Sequence, residues 1–361
     1  MKKNILVIDD SALIRRVLSD IINSDDRFQV CGTATNGIEA LDIVIRDYKS
    51  IDALMLDINM PKMGGLEFLE QLSAHKIKIP ILVVSTLAKE GAKETIRALE
   101  LGAFDFITKP DSFAEAKGNS FHNKILTSLG VMFGDEQSII GEKKTTAKPA
   151  PKPARTFTPS PMGRVVSNGK KLIALACSTG GPRALQSVIP TLPSNLDAPM
   201  LIVQHMPEGF TKSLAVRLNE LSNVYVKEAE DGDVIEKGTV YIAKGGRQMR
   251  LKKGPDGAYR LTVTQEPARN ALKPCADIMY ESLVSSDFEE ITCVVLTGMG
   301  GDGTNGISQL KQTNKIYVIA QDEATSTVYG MPKIVAEAGL TDEVVPLNQV
   351  SGAITKNVGV R

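Results

Sequence analysis

Residues 5–10 read Ile-Leu-Val-Ile-Asp-Asp, and residues 53–57 read Ala-Leu-Met-Leu-Asp. A third short apolar run, Phe106 to Ile107, leads to Lys109. Short apolar runs between helical patterns are typical of buried parallel strands, and the carboxyl ends of such strands share one crevice in a doubly wound sheet. The pattern predicts an α/β fold in which three carboxylates and one ammonium group meet at one edge.

The carboxylates of this crevice indicate a metal site. Side chains such as Asp9, Asp10 and Asp57 repel one another when close together, unless a divalent cation joins them. Mg²⁺ prefers oxygen ligands of this kind, and a metal-screened carboxylate can act as a covalent nucleophile. The ammonium group of Lys109 can neutralise an incoming anion.

With these residues, the stretch from about 1 to 125 resembles the receiver domain of bacterial two-component response regulators. The resemblance implies a flavodoxin-like fold in which Asp57 accepts a phosphoryl group. It implies that Ser85 and Lys109 respond to phosphorylation. The Mg²⁺ ligands that it implies are Asp9, Asp10, Asp57 and the main chain near Asn59.

The composition limits the class of protein. A chain of 361 residues is too long for one core and suggests two domains, and its net charge of zero gives no global reason to expect nucleic-acid binding. The four cysteines show no paired spacing, and the three histidines leave little material for a zinc site. The first apolar stretch is too short for a signal peptide or a membrane span, so we expect a cytoplasmic protein with no direct membrane insertion.

A composition shift divides the chain. From Gly141 to Lys171 the sequence is rich in proline and lysine and has few apolar residues, which predicts a mobile connector. We therefore expect a receiver domain at 1–135, a flexible linker at 136–170 and a second domain at 171–358. The basic charge of the linker is best explained by solvation, and a phosphate-binding arm is the weaker alternative.

The second domain is also predicted to be α/β with a parallel sheet. Between Val224 and Gln265 the pattern changes to short strands broken by turn residues at 231–233 and 254–257. This stretch predicts an antiparallel region with hairpins. The predicted parallel strands cover residues 172–176, 200–204, 293–297 and 316–320.

Three loops at strand ends of this domain carry a candidate nucleophile, base and acid: Ser178, His205 and Asp302. A histidine can take the proton that a serine hydroxyl loses, and a carboxylate can orient the imidazole. Main-chain groups at Thr179 and Met299 can stabilise an oxyanion. Taken singly, a helix-capping serine and a structural histidine explain these residues at least as well.

Two other functions fit parts of the pattern. Gly298, Gly300 and Gly303 form a GxGxxG motif after a strand, and Asp322 lies about twenty residues on, as in dinucleotide-binding folds. Against that function, Asp302 places a negative charge inside the phosphate cradle. A nucleic-acid-binding output domain is the non-enzymatic alternative, although no basic recognition helix is evident.

At these residues the second domain resembles the catalytic domain of chemotaxis protein-glutamate methylesterases. The resemblance places the nucleophile on Ser178, the base on His205 and the acid on Asp302. It is broken between Asn270 and Asp277, where the family usually has a histidine, a basic residue and Pro-Ser-Val-Asp; we expect this departure to leave the three catalytic positions untouched. The matching segments are Ser178–Gly181, Gln204–Pro207, Leu296–Gly303, Gln321–Ser326 and Tyr329–Pro332.

This resemblance implies a substrate and partners. The family hydrolyses glutamate methyl esters on methyl-accepting chemoreceptors, releasing methanol, and deamidates receptor glutamines. A chemotaxis histidine kinase is the implied phosphodonor. Mg²⁺ is implied for the receiver domain, and no cofactor is implied for the esterase reaction.

Overall fold

The computed structural model describes residues 2–86, 89–110, 115, 118–135, 138 and 170–360. Apart from Ser138 and Lys170, the predicted linker lies outside these residues. Two parallel sheets, one in each half of the chain, carry helices, and a separate two-stranded antiparallel sheet belongs to the second half. The predicted fold class is confirmed.

The first half is a five-stranded parallel sheet in the order β2-β1-β3-β4-β5. In this order β1 and β3 lie side by side although β2 comes between them in sequence, so a crevice opens where their carboxyl ends diverge. The elements are β1 (Lys3–Ile8), α1 (Ala12–Asn23), β2 (Phe28–Ala34), α2 (Gly37–Asp47), β3 (Ala53–Asp57), α3 (Gly65–Ala74), β4 (Ile81–Ser85), α4 (Lys89–Glu100), β5 (Asp105–Thr108) and α5 (Asn119–Met132).

Polar side chains fix where the first helices begin. The Ser11 hydroxyl accepts a hydrogen bond from the main-chain N–H of Ile14, and Asn36 Oδ1 accepts from the N–H groups of Ile38 and Glu39. These bonds satisfy N–H groups that have no partner within their own helix. Each helix therefore begins just beyond a strand end and leaves that strand end facing the crevice.

The second half is a seven-stranded sheet in the order β14-β13-β12-β6-β7-β9-β8, with every pairing parallel. The order reverses at β6, so the loops after β6, β7 and β12 meet above one edge. The elements are β6 (Lys171–Cys177), α6 (Gly181–Val188), β7 (Met200–Gln204), α7 (Phe210–Leu221), β8 (Tyr225–Glu228), β9 (Thr239–Ile242), β10 (Gln248–Lys253), β11 (Tyr259–Thr264), α8 (Ala276–Glu281), β12 (Glu290–Val295), α9 (Thr304–Thr313), β13 (Ile316–Gln321), α10 (Met331–Glu337), β14 (Glu343–Val345) and α11 (Leu347–Val358).

The predicted antiparallel region is smaller than the sequence suggested. Only β10 and β11 form an antiparallel hairpin, joined by the predicted turn at 254–257. The turn at 231–233 instead lies between β8 and β9, which pair in parallel within the main sheet. The connection between them is held against the hairpin, because the N–H of Gly232 donates to the carbonyl of Leu261 at 2.9 Å. A short connection therefore joins parallel strands here without a helix.

The two halves pack against each other. A continuous apolar cluster contains buried side chains from both sheets, and α4 of the first half contacts α7 of the second. The rings of Phe106 and Phe210 stack across this boundary with their centroids 4.6 Å apart. Within the described residues, no helix is both long and apolar enough to cross a membrane.

Candidate active site

Ser178 lies on the tight turn between β6 and α6. Its main-chain N–H donates to the carbonyl of Thr297 at 3.0 Å, and its carbonyl accepts from the N–H of Gly181 at 2.7 Å. Gly180 has a φ of +76°, and a Cβ on it would lie 2.5 Å from the side chain of Thr327. The turn therefore requires glycine there, and its conformation holds the serine beyond the end of the strand.

Gln204, the last residue of β7, braces the Ser178 turn. Its amide nitrogen donates to the carbonyl of Ser178 at 2.9 Å and to that of His205 at 3.2 Å. Its amide oxygen accepts from the buried thiol of Cys177 at 3.0 Å. The side chain is 1% exposed, so these bonds form without competition from water. Sequence reasoning did not single out this residue, although it directly precedes His205.

His205 and Asp302 form a buried hydrogen-bonded pair. Nε2 of His205 lies 2.8 Å from Oδ2 of Asp302, and the two side chains are 11% and 5% exposed. Burial by itself would raise the pKa of Asp302, but the hydrogen bond and charge of His205, together with main-chain N–H groups, lower this pKa to about 2. Asp302 is therefore an ionised acceptor at neutral pH, and Nε2 of the imidazole carries the proton.

The segment before α8 holds the Asp302 carboxylate. Oδ2 accepts from the N–H of Ala276 at 2.6 Å, and Oδ1 accepts from the N–H of Asp277 at 3.0 Å and from the thiol of Cys275 at 3.1 Å. This is the segment in which the sequence departs from the methylesterase pattern. The departure places the Cys275 thiol against the candidate acid, and the expectation that it leaves Ser178, His205 and Asp302 in their roles stays a prediction.

The GxGxxG motif does form a strand–loop–helix unit, since β12 is followed by Gly303 and then α9. The N–H groups of Gly303 and Gly306 at the start of α9 donate to the Asp277 carboxylate at 3.0 and 2.8 Å. A bound pyrophosphate needs N–H groups at this helix start. Because the protein's own carboxylate already takes them, dinucleotide binding is disfavoured at this loop.

Four of the five predicted catalytic residues line one cavity of about 510 Å³, and the fifth, Asp302, contacts it through His205. Ser178, Thr179, His205 and Met299 line it from the second half, and β5 lines it from the first. The Ser178 hydroxyl makes no hydrogen bond to His205 in the described part of the chain. The structure thus brings the candidate nucleophile, base, acid and oxyanion residues to one place, without a direct Ser178 to His205 contact.

The predicted metal site lies at the crevice of the first half. Carboxylate oxygens of Asp9, Asp10 and Asp57 lie within 4.8 Å of one another. Nζ of Lys109 lies 2.7 Å from both Asp9 and Asp57. Burial raises the pKa of Asp57, and the hydrogen bond and charge of Lys109 partly oppose this rise. Three clustered carboxylates form the hard oxygen donor set that suits Mg²⁺.

The other predicted receiver residues lie beside this site. Ser85 ends β4, is 2% exposed, and its hydroxyl accepts a hydrogen bond from the Thr95 hydroxyl at 2.7 Å. The carbonyl of Ser85 accepts from the N–H of Lys109 at 2.7 Å, which ties the two switch positions together. Asn59 lies in the exposed loop two residues after Asp57.

Polar side chains also connect the two halves. Glu100 of α4 accepts from Nε of Arg217 at 2.6 Å and from Nη2 at 3.2 Å. Asp105 of β5 faces Thr179. Burial raises the pKa of Asp105 to about 6, and a hydrogen bond with the Thr179 side chain partly opposes that rise. Because Thr179 directly follows Ser178, the first half reaches the candidate nucleophile.

Two family models match the chain. Residues 173–354 match the CheB methylesterase model, and residues 5–117 match the response regulator receiver domain model. Together they cover the two sheets and both sites described above.

Individual proteins are similar over nearly the whole length. The chain is 39% identical over 358 residues to the protein-glutamate methylesterase/protein-glutamine glutaminase of Pyrococcus abyssi, covering 99% of this chain and 94% of the relative. It is 38% identical to the protein of the same name from Bacillus subtilis, covering 98% of both chains. The crystal structure of the Thermotoga maritima CheB methylesterase catalytic domain superposes with a TM-score of 0.50 at 41% identity, covering 53% of this chain and all of that one.

Proposed function

The chain belongs to the CheB methylesterase family and carries a response regulator receiver domain, and from this premise we propose that it demethylates glutamate methyl esters on chemoreceptors and deamidates receptor glutamines. The observation that carries this proposal is the His205–Asp302 pair at 2.8 Å beside the cavity that Ser178 lines. Ester and amide hydrolysis share an acyl-enzyme route, so one site serves both reactions.

The proposed first step is attack by Ser178. Because Asp302 binds Nε2 of His205, Nδ1 is the ring nitrogen that is left to take the serine proton. The serine oxygen bonds to the side-chain carbonyl carbon, and the resulting oxyanion is stabilised by main-chain groups at Thr179 and Met299. The contact between Ser178 and His205 closes when substrate binds, since catalytic hydrogen bonds often tighten only in the complex.

The remaining steps release the products. The imidazolium of His205 gives its proton to the leaving group, which departs as methanol from an ester or as ammonia from an amide. A water molecule then gives a proton to the same imidazole and attacks the acyl carbon. Cleavage of the bond to Ser178 frees the glutamate carboxylate and restores the serine hydroxyl. Asp302 stays ionised throughout and stabilises each imidazolium.

We propose that phosphorylation of Asp57 controls the esterase activity of the second half. Asp9, Asp10 and Asp57, with the main chain near Asn59, would hold Mg²⁺, which would supply charge neutralisation for the phosphodonor. The implied donor is a chemotaxis histidine kinase. Lys109 lies within ion-pair distance of Asp57 and is placed to pair with the phosphoryl group, and Ser85 is linked to Lys109 through the main chain.

We infer that the unphosphorylated first half covers the esterase crevice and that phosphorylation favours exposure. The support is the packing of β5 over the Ser178 cavity and the contacts of Glu100 and Asp105 with the second half. A connector of roughly thirty residues keeps the halves at about millimolar effective concentration, so a modest change in affinity alters the occupied fraction.

Methanol release from methylated receptor membranes tests both proposals. Wild type is expected to be active, Ser178→Ala inactive, and Asp57→Asn unresponsive to a phosphodonor. A fragment that begins near Lys171 is expected to be active without phosphodonor. Activity of Ser178→Ala equal to that of wild type would reject the assigned nucleophile, and equal rates for full-length protein with and without phosphodonor and for the fragment would reject the covering arrangement.

A further inference from the structure

A second buried carboxylate lies directly behind Asp302. Asp277 is 4% exposed and sits in the first turn of α8. Its main-chain N–H donates to Oδ1 of Asp302 at 3.0 Å. Its side chain does not line the cavity that contains Ser178, so the reaction steps proposed above assign it no role. A buried charge is costly to maintain, and this one requires an explanation.

The contacts of Asp277 form a reciprocal clamp on the loop that carries the acid. While its main chain holds the Asp302 side chain, its carboxylate holds the main chain that follows Asp302, accepting from Gly303 at 3.0 Å and Gly306 at 2.8 Å. Gly303 has a φ of +96°, a conformation that L side chains rarely adopt. Asp277 therefore supports the position of Asp302 from both sides.

Close packing reinforces the clamp. A Cβ on Gly306 would lie 2.9 Å from the Asp277 carbonyl oxygen and 2.7 Å from Cβ of Tyr280, so α8 and α9 meet without room for a side chain. Tyr280 is completely buried beneath this contact. The acid is thus fixed by two helices that cannot slide past each other without breaking the N–H bonds to Asp277.

Electrostatics distinguishes this clamp from an ordinary helix cap. Burial raises the pKa of Asp277, and the neighbouring charge of Asp302 raises it further, while N–H groups of the α9 start oppose the rise. Asp277 lies one contact beyond Asp302, the residue that binds the imidazole of His205, so an ionised Asp277 would place a second negative charge on that side of the ring. A neutral residue could accept the same N–H bonds, but it would not add negative charge near the ring that becomes cationic.

We propose that Asp277 is a positioning residue of the esterase site, which holds Asp302 against Nε2 of His205 and adds negative charge that favours the imidazolium. This assignment rests on the proposed function. It differs from a stability role because it predicts effects on the tautomer of His205 and on the pH–rate profile. A purely structural residue alters neither once the protein is folded.

The test compares three aspartate-to-asparagine variants of the full-length chain: Asp277→Asn, Asp302→Asn and the control Asp256→Asn. Asp256 is exposed in the β10–β11 turn, so its variant loses the same charge far from the site. With a phosphodonor and methylated receptor membranes, Asp277→Asn is expected to lower kcat about 10- to 100-fold with little change in KM. The acidic limb of its profile is expected to move to lower pH. Asp256→Asn is expected to behave as wild type.

A second readout does not depend on esterase activity. Only three histidines are present, so the ¹⁵N signals of His205 can be assigned by substitution. We expect wild type at alkaline pH to carry the ring proton on Nε2, and both Asp277→Asn and Asp302→Asn to populate the other tautomer. If wild type releases no methanol, the proposed function fails, whereas the tautomer comparison still decides the role of Asp277.

A folded Asp277→Asn with the kcat, pH profile and tautomer of wild type would overturn the proposal. If this variant does not fold, Asp277→Glu, which keeps the charge and displaces it, is expected to lower kcat with a smaller shift of the profile. If neither variant folds, hydrogen exchange of the main-chain amides in the wild-type protein tests the proposal. Slow exchange at Gly303 and Gly306 supports the clamp, and fast exchange at both overturns it.

Discussion

Nε2 of His205 lies 2.8 Å from Oδ2 of Asp302, so Nδ1 is the ring nitrogen that would accept the proton in the proposed attack by Ser178. This orientation is opposite to that of the chymotrypsin-type triad, in which Nδ1 faces the acid and Nε2 the serine. The proton-transfer roles can be the same, because either ring nitrogen can act as the base once the other is held as a donor.

Loss of the Asp302 charge is expected to trap the wrong tautomer. Asp302→Asn places an amide against Nε2, and the ring can then direct its N–H towards Ser178 and lose its function as a base. By analogy with the serine-protease acid, methanol release is expected to fall about 10³- to 10⁴-fold. Steady-state rates with methylated receptor check this, and a decrease of less than tenfold would contradict the assigned role.

Weakening the Glu100–Arg217 pair is expected to raise activity without phosphodonor. Glu100 is 9% exposed in its side chain and Arg217 34%. Arg217→Ala removes both interdomain hydrogen bonds of this nearly buried carboxylate and leaves it paired with Arg97 of its own helix. A loss of about 1 kcal/mol corresponds to roughly a fivefold shift towards the open arrangement. Arg16→Ala, which removes an exposed ion pair within the first half, is the control. Equal unphosphorylated rates for the two variants would be evidence against a regulatory contact.

Asp105 is expected to make the interdomain contact sensitive to pH. Its pKa is raised from 3.8 to about 6 in the packed structure, so the packed form binds the proton more tightly. Below a pH of about 4 the Asp105 carboxyl is protonated in both arrangements, so it does not oppose packing. As the pH rises from about 4 through about 6 the carboxyl ionises, and this ionisation weakens packing. We therefore compare the esterase rate of wild type without phosphodonor with that of Asp105→Asn. The ratio of the first rate to the second is expected to be larger at pH 7.5 than at pH 5. A constant ratio would show that Asp105 titrates identically in both arrangements.

Mg²⁺ is expected to stabilise the first half through its three carboxylates. At a concentration ten times the dissociation constant, a ligand that binds only the folded state adds about 1.4 kcal/mol to the free energy of unfolding. Thermal unfolding in MgCl₂ and in chelator measures this shift. Asp9→Asn is expected to reduce it, whereas Asp20→Asn, an exposed aspartate on α1, is expected to keep it. An undiminished shift in Asp9→Asn would place the ion elsewhere.

Residues at strand ends were predictable because parallel strands produce a local apolar signal and their ends converge by topology. This is why the sequence alone places Asp57, Ser178 and His205 at crevices. The parallel pairing of β8 with β9 was not predictable, since a short connection normally indicates a hairpin. The connection between these strands is hydrogen-bonded to β11, which lies later in the chain.

Contacts between segments that are distant along the chain could not be predicted from the sequence either. Glu100 and Arg217 are 117 positions apart, and neither belongs to a motif. Asp277 stands 25 positions before Asp302 in a segment recognised only as a departure from a family pattern. Local periodicity reports which face of an element is buried, but it carries no information about which buried partners will meet.

The cavity between the halves has a further consequence for which molecules can reach Ser178. At about 510 Å³ it can admit a compact ester. A receptor segment folded as a helix would be about 10–12 Å across with its side chains and would require the halves to separate. Phosphorylation would then control the esterase by setting how large a molecule can enter the Ser178 cavity. A small activated ester should be cleaved at similar rates with and without phosphodonor, even where turnover of the receptor differs greatly.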